Sequence, residues 1–246
     1  MHRKASFVAF FILVVLTLGH SQQGISPASE QTALNKAVHG VDGWLRIFTD
    51  TRLTSDLKKK MWGEGDWSFV LEKNDPLTKI FTAKPPQNAS LQIVDSQGRV
   101  IESDQLERPL AKIGQARINS GNGIFLVTVD YSVGFGSYAG LTTSLVDVRD
   151  GKIIWLKAID ADSHKDESIH LPKTLKSDWK FLPLEGKRDI LQVLCRPDIA
   201  NKGDDFHVEY VRYRYKDSEW IKYVRTVKGF WESDEGFPAL SKFRKQ

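Results

Sequence analysis

A glycine-rich stretch at residues 134–140, GFGSYAG, has a spacing that could cradle a phosphate group. A dinucleotide site needs such glycines at the start of a helix whose N-terminus faces the pyrophosphate. The residues that follow, 141–146, are instead β-branched and strand-like, and no Gly-Lys-Ser/Thr sequence completes a P-loop. The sequence therefore predicts a loop between two paired strands, in which glycine permits a positive φ or a close backbone approach.

Polar side chains in and beside this loop are candidates for binding. Tyr131 and Tyr138 are placed to make the loop a recognition edge, with Ser137 between them. Ser137 does not lie in the G-x-S-x-G turn of an activated serine, because Phe135 occupies the first glycine position. We therefore interpret Tyr131, Ser137 and Tyr138 as candidate binding residues and assign no catalytic residue.

Arginine and tyrosine alternate in a second stretch, residues 206–231. A hairpin turn at residues 217–218 would place Arg212 opposite Tyr223, on a strand face that carries a further pair of the same kind. Such pairs gain roughly 0.5 to 1 kcal/mol through cation–π contact. Two interpretations stay open, a solvent-facing surface and a ligand-facing one. Arg212 and Tyr223 are the candidate binding residues of the second.

An acidic and histidine-containing cluster, DADSHKDESIH at residues 160–170, has residue types that bind metal ions. Its Asp-x-Asp start resembles a calcium loop, but Lys165 replaces the glycine and Leu171 replaces the bidentate glutamate. His164 and His170 lack the i, i+4 helical spacing of a zinc site. A solvated loop is expected and no metal ligand or cofactor is assigned. A metal-dependent enzyme using the His164 cluster is one alternative function.

Three carboxylates near the C-terminus, Glu232, Asp234 and Glu235, lie among aromatic residues. A glycosidase needs two carboxylates on opposite sides of the scissile bond. Residues this close in sequence do not easily straddle one bond, so a polar turn is the expected structure. A carbohydrate-acting hydrolase that uses these C-terminal carboxylates is the other alternative function.

The first 21 residues have the pattern of a secretory signal peptide. A basic start is followed by the apolar stretch 7–19, and the small residues Gly19 and Ser21 occupy the −3 and −1 positions of a cleavage site. The apolar stretch is shorter than the roughly 20 residues that a membrane-spanning helix needs. We therefore expect a periplasmic or secreted protein with no transmembrane segment after cleavage.

The charge balance and the cysteine content limit the class of protein further. The sequence has 35 Lys and Arg against 31 Asp and Glu, and removal of Arg3 and Lys4 with the signal leaves 33 against 31. This small excess does not favour a nucleic-acid partner. The single cysteine, Cys195, excludes an internal disulfide. It lies in an apolar, strand-like stretch, so a buried and unreactive thiol is expected.

Helical periodicity characterises the segment from residue 22 to 75. Ser26 and Pro27 suit the N-terminus of a first helix, and a second helix is expected to begin near Thr54. The apolar residues of the first helix recur at three- and four-residue steps and would share one face. They are Leu34, Ala37, Val38, Val41, Trp44, Leu45 and Phe48.

The periodicity changes to two from about residue 78, which predicts β-strands. One hairpin is expected to turn near residues 96–98, and one helical stretch is expected at 171–180. The clearest signal is the Asp150-Gly151 turn between two apolar runs.

The Asp150-Gly151 hairpin has a register that places Val146 opposite Trp155. Both of its faces are largely apolar, so we expect it at the centre of the fold, covered on both sides. Its segment DGKIIW resembles one blade edge of the exported quinoprotein-type β-propellers. The segment occurs once, whereas a propeller repeats its blades, and we carry no function over from it.

These patterns together predict an α+β fold, with a mainly antiparallel sheet or two packed sheets and an N-terminal helical segment. The expected boundaries are a signal peptide at 1–21, a helical segment at 22–75 and a β-rich domain at 76–246. The expected function is that of an exported, non-enzymatic binding or envelope-associated protein whose ligand or envelope partner is unidentified.

The signal pattern predicts that export removes the first 21 residues. N-terminal sequencing of the protein recovered from the extracytoplasmic fraction should begin at Gln22. Retention of Met1 on protein found in the cytoplasm would contradict the prediction.

Overall fold

The computed structural model describes residues 31–34, 36–64, 76–117, 123–132, 136–184, 187–198 and 205–243. Within them the protein is built mostly from antiparallel β-sheets, with few helices. The predicted signal peptide, the predicted helix start at Ser26 and Pro27, and the first two glycine-loop residues lie outside the described residues.

The first sheet, sheet A, comprises four antiparallel strands in chain order. These are β1 (Gln31–Ala33), β2 (Gly43–Phe48), β3 (Ser90–Asp95) and β4 (Val100–Gln105). The described helices are α1 (Lys36–His39), α2 (Ser55–Glu64) and α3 (Pro76–Ala83).

The other two sheets follow along the chain. Their strands are β5 (Ala111–Arg117), β6 (Gly123–Asp130), β7 (Leu141–Arg149), β8 (Lys152–Trp155), β9 (Lys157–Asp160), β10 (Asp166–Ser168), β11 (His170–Lys173), β12 (Ser177–Leu184), β13 (Lys187–Pro197), β14 (Phe206–Lys216) and β15 (Glu219–Lys228). Sheet B has the order β11-β7-β6-β5, with β8 paired to β7. Sheet C has the order β10-β9-β15-β14-β13-β12, and its β9–β15 pair is parallel.

Sheet B is the middle layer, because both of its faces are buried. One face packs against sheet A through a first core cluster, which includes Phe125, Val127, Val146, Val148, Leu45, Ile47, Leu91 and Ile93. The other face packs against sheet C through a second core cluster, which includes Ile124, Leu145, Leu171, Ala158, Ile190, Val211 and Trp220. The period-two alternation of β6 and β7 sends neighbouring apolar side chains to opposite layers.

The outer face of sheet C is covered in part by the C-terminal segment, residues 229–243. Trp231 and Phe243 from this segment pack on Val193, Cys195 and Tyr210 of the sheet. Cys195 is buried and has no disulfide partner, which confirms the prediction of a buried thiol.

The hairpin registers predicted from turn residues are confirmed. Asp150 and Gly151 both have positive φ, as a two-residue turn of this kind requires, and Val146 pairs with Trp155. The later hairpin turns at residues 217–218, and Arg212 pairs with Tyr223. The turn near residues 96–98 joins β3 to β4. The hairpin that turns at Asp150 and Gly151 belongs to sheet B, and this sheet is covered on both sides, as the sequence predicted for that hairpin.

The structure does not show the predicted N-terminal helix. Gly43–Phe48 is strand β2 instead, with Leu45 and Ile47 facing the core and Trp44 exposed. A side chain at Gly43 would overlap the carbonyl oxygen of Val94, so the close pairing with β3 requires glycine there. Over these few residues the spacing of the apolar side chains fits both a helix and a strand, and pairing with β3 selects the strand.

The second helix, α2, is confirmed where the sequence placed it. It begins at Ser55, and the Oγ1 atom of Thr54 accepts a hydrogen bond from the Leu57 amide at 3.3 Å, as an N-cap residue does. A further helix, α3, occupies Pro76–Ala83, where the change to strand periodicity was expected. Its proline suits the first turn of a helix.

The helix predicted at residues 171–180 is wrong. This stretch contains β11, a tight turn and the start of β12. In the turn, the Thr174 amide donates to the Ser177 carbonyl at 2.9 Å and the two hydroxyl groups are 2.8 Å apart. Serine and threonine side chains that bond locally favour such turns over helix interiors.

Trp155 joins the β7–β8 hairpin to sheet A, because its indole N–H donates to the carboxylate of Asp104 at 2.8 Å. It is half-buried against the first core cluster.

We therefore expect Trp155→Ala to lower the free energy of unfolding by about 2 kcal/mol. This loss is less than the roughly 3 to 5 kcal/mol that the same substitution costs at a fully buried tryptophan. Chemical denaturation measures the change. Tyr138→Ala, in the exposed loop, is the control and should leave stability nearly unchanged. A larger loss for Tyr138→Ala than for Trp155→Ala would contradict the prediction.

Candidate functional site

The glycine loop connects β6 to β7, as predicted, and leads into a strand rather than a helix. At its base, where it joins the two strands, the Tyr131 amide donates a hydrogen bond of 2.8 Å to the Gly140 carbonyl. A side chain at Gly140 would overlap the carbonyl oxygen of Lys173. The close backbone approach expected of a loop glycine is therefore present at Gly140, where β11 passes beside the loop.

Tyr131, the first candidate residue, is held by structural contacts at the side of sheet B that faces sheet A. Its hydroxyl donates to Glu107 at 2.8 Å, and the Arg108 guanidinium lies 5.4 Å from the ring centroid. Burial, followed by the bond to Glu107, raises the pKa of Tyr131 to about 12. The phenol is therefore neutral at physiological pH, and Tyr131 serves as a structural residue at the base of the loop.

Ser137 and Tyr138 lie at a second place, where three loops meet. The Lys176 amide donates to the Ser137 carbonyl at 3.2 Å, and the Ser233 amide donates to the Leu175 carbonyl at 2.8 Å. Each loop presents one large apolar side chain to solvent, Tyr138 at 52%, Leu175 at 56% and Phe230 at 50% exposure. We call the surface formed by Ser137, Tyr138, Leu175 and Phe230 the loop-tip surface.

Lys176 lies beneath the loop-tip surface and is only 5% exposed. Its ammonium group donates to the Glu232 carboxylate at 2.7 Å and lies 3.3 Å from the centroid of the Phe230 ring. A buried ammonium needs such compensation, because the loss of hydration is costly. Glu232, one of the carboxylates weighed for hydrolysis, is therefore engaged in an ion pair.

Arg212 and Tyr223 lie at a third place, the outer face of sheet C. The Nε atom of Arg212 donates to the buried Asp189 carboxylate at 2.6 Å. The five sequence candidates thus fall into three separate groups. Tyr131 supports the glycine loop, Ser137 and Tyr138 belong to the loop-tip surface, and Arg212 and Tyr223 lie on sheet C.

A larger concave site lies between sheets B and C, beside the β7–β8 hairpin and the start of β15. We call it the interlayer cleft, and its volume is about 710 Å³. Ligand sites in proteins commonly have volumes of about 300 to 1,000 Å³. The residues that line it are Gly123, Ile124, Asp147, Arg149, Ile154, Trp155, Leu156, Lys157, Ile159, Asp166, Tyr215, Ser218, Glu219 and Trp220.

Trp220 is the residue of the cleft with an unmet bonding requirement. It is 3% exposed, and among the described residues its indole N–H has no hydrogen-bond partner. Its ring lies 5.3 Å from that of Tyr215, centroid to centroid. A buried donor without an acceptor costs about 1 to 3 kcal/mol, and the buried position of this N–H keeps it away from the open space of the cleft.

Asp147 forms part of the cleft wall and is held by two cationic or polar partners. Its carboxylate accepts from Arg149 at 2.8 Å and lies 3.1 Å from Nδ1 of the buried His39. The same Nδ1 donates to the Val148 carbonyl at 2.6 Å. His39 therefore satisfies the carbonyl group of Val148. Val148 lies beyond Val146, which is the last residue of β7 that pairs with β6.

No pattern in the sequence marks the residues that line the cleft as a set. The register that pairs Tyr215 with Trp220 was available from the predicted turn, but it does not show that the pair faces a second sheet. For His39 and Lys176 we find no sequence signal, because each has an ordinary local context.

The acidic cluster around His164 forms β9, a turn and β10. Asp160 accepts the amides of Ser163 and Asp162 at 2.7 and 3.1 Å, and the bond from Ser163 lowers the pKa of Asp160. These are the contacts of a turn. Within the described part of the chain, no group of three or more His, Cys, Asp or Glu side chains is arranged to hold a metal ion.

Comparison with known proteins gives no assignment: no protein-family model, no curated protein and no solved structure matches the chain. Among the residues that the structure describes, none of the helices has the length and apolar character needed to cross a membrane.

The Lys176–Glu232 pair should respond asymmetrically to mutation, because only Glu232 has access to water. Glu232→Gln leaves a buried ammonium without its counter-charge and should cost about 2 kcal/mol of unfolding free energy. Lys176→Met keeps the apolar stem and lets Glu232 become hydrated, so it should cost less than about 1 kcal/mol. Thermal and urea unfolding measure both changes. Lys173→Met, at an exposed lysine nearby, is the control, and equal losses for the two variants of the pair would disprove this account.

Proposed function

We propose that this protein is an exported, non-enzymatic binding protein that holds a small ligand in the interlayer cleft. The N-terminal signal pattern supports export. The observation that carries the binding proposal is the cleft itself, which has a volume of about 710 Å³ and a lining of both apolar and charged side chains.

The lining of the cleft indicates the kind of ligand. Ile154 and Leu156 supply apolar surface. Charges of both signs follow the rim, among them Lys157 and Glu219. A small molecule with an apolar face and polar or charged groups at its edge would match these features.

The contacts of the C-terminal carboxylates favour binding over hydrolysis. Glu232 is paired with Lys176 at 2.7 Å, and Glu235 accepts the Glu232 amide at 2.9 Å. Both carboxylates therefore stabilise the C-terminal segment, whereas a glycosidase needs two that face each other across a sugar. The turn contacts of Asp160 likewise lend little support to a metal-dependent enzyme built on the His164 cluster.

Blocking the cleft provides the test. Ile154 lies opposite Asp147 and lines the cleft, so Ile154→Trp should fill it without changing charge. We would screen a library of small polar metabolites by thermal shift against the wild type and confirm each hit by calorimetry. At least one compound should raise the melting temperature of the wild type, and Ile154→Trp should lose that shift.

A matched control is Ile80→Trp, the same substitution at an exposed isoleucine of α3 outside the cleft lining. It should retain the thermal shift of the wild type. Hits that bind Ile154→Trp as tightly as the wild type would rule out the cleft as their site. A comprehensive library without any hit would argue against the proposed binding function.

A further inference from the structure

We propose that the outer face of sheet C binds an oxyanion, a phosphate or carboxylate group, between the guanidinium groups of Arg212 and Arg214. This site is separate from the interlayer cleft, and the proposal does not depend on the proposed function. It rests on the contacts of a buried aspartate, on the exposure of the two arginines and on the charge of this face.

The C-terminal segment covers the other end of this face. Phe243 packs edge-to-face on Tyr210 at 5.4 Å between ring centroids, and a terminal amino group of Arg225 lies 3.5 Å from the Lys242 carbonyl. Arg212 and Arg214 lie nearer the hairpin turn than Tyr210, and their side chains are 21% and 43% exposed. The segment reaches as far as Lys180, whose ammonium group lies 4.2 Å from the centroid of the Phe237 ring, and Arg214 lies farther toward the hairpin turn.

Asp189 fixes the two arginines. Its side chain is 3% exposed, and the same oxygen, Oδ2, accepts from Nε of Arg212 at 2.6 Å and from Nε of Arg214 at 3.4 Å. A buried carboxylate requires compensation by a cation. One guanidinium supplies that charge, so the second leaves the group of three with a net positive charge.

Arg214 has the larger share of its side chain in water, 43%. Asp189 accepts a hydrogen bond from the Nε atom of Arg214 alone, so the two terminal amino groups of this guanidinium make no bond to the aspartate. Tyr223 lies opposite Arg212 on the neighbouring strand. A planar guanidinium with free terminal amino groups is well suited to bind a carboxylate or phosphate through two parallel hydrogen bonds.

The charges of the surrounding face favour an anion. The register places on this face, toward the hairpin turn, the cationic residues Arg212, Arg214 and Lys216 and the acidic residues Asp189 and Glu219, whereas Lys180 and Arg225 contact the C-terminal segment and Asp178 lies farther from the turn. Asp178 is 3.4 Å from Lys173, so its charge is also partly compensated. An excess of cations on one surface attracts anions and raises their local concentration.

Titration with inorganic phosphate and with malonate tests the site. Amide chemical shifts of the ¹⁵N-labelled protein would be followed at constant ionic strength, with sodium chloride as the reference salt. We expect saturable shifts in β13 and β14 with at least one of the two probes. Saturation by phosphate alone indicates a phosphate-bearing ligand, and saturation by malonate alone indicates a carboxylate.

Two variants localise the binding. Arg214→Gln removes the exposed guanidinium, leaves Arg212 to neutralise Asp189, and should weaken binding about tenfold, as the loss of one charge-assisted pair predicts. Lys216→Gln removes an exposed charge from the same strand and should change affinity less than about twofold, as a screened surface charge does. The melting temperatures of both variants should stay close to that of the wild type.

Three results would overturn the proposal. They are the absence of saturable shifts with both probes, equal shifts with chloride, and equal affinity of the wild type and Arg214→Gln. In the last two cases the arginines form only a structural ion-pair network with Asp189. Ile154→Trp should keep its anion affinity, so failure of the cleft proposal and failure of this one are distinguishable.

Discussion

The fold depends on the burial of both faces of sheet B. Leu145 and Val146 are neighbours on β7, both are fully buried, and they pack in opposite directions, against sheet C and sheet A. Full burial of such a side chain contributes about 1.5 to 3 kcal/mol, and the alternation repeats along β6. A polar residue at either kind of position would weaken the attachment of one outer sheet to the middle one.

The candidate sites follow from where this layered packing ends. Pairing between β6 and β7 stops at Phe125 and Val146, and the hairpin formed by β7 and β8 continues beyond that point. The interlayer cleft lies there, lined by residues of sheets B and C, and His39 satisfies the carbonyl of Val148 that β6 leaves unpaired. The cleft thus lies where β6 and β7 separate, because β6 continues to Gly123 beside β5 while β7 continues beside β8.

Two buried charges organise the rest of the surface. Lys176 ties the C-terminal segment to the loop-tip surface through Glu232, and Asp189 orients Arg212 and Arg214 on sheet C. In both cases the low exposure of one charged group dictates the position of its partners, because an unpaired buried charge is costly. Each buried charge therefore determines where the charged groups beside it lie.

Turn chemistry was readable from the sequence alone. The Asp150-Gly151 turn determined the pairing of Val146 with Trp155, and the alternation around it placed the hairpin inside the fold, because these preferences act between near neighbours. Tertiary structure decided the remainder. Gly43–Phe48 became a strand only because β3 lies beside it, and Trp220, Lys176 and Asp189 gained their roles from residues far along the chain. Burial and charge compensation between distant segments depend on the packed layers, and no local pattern encodes them.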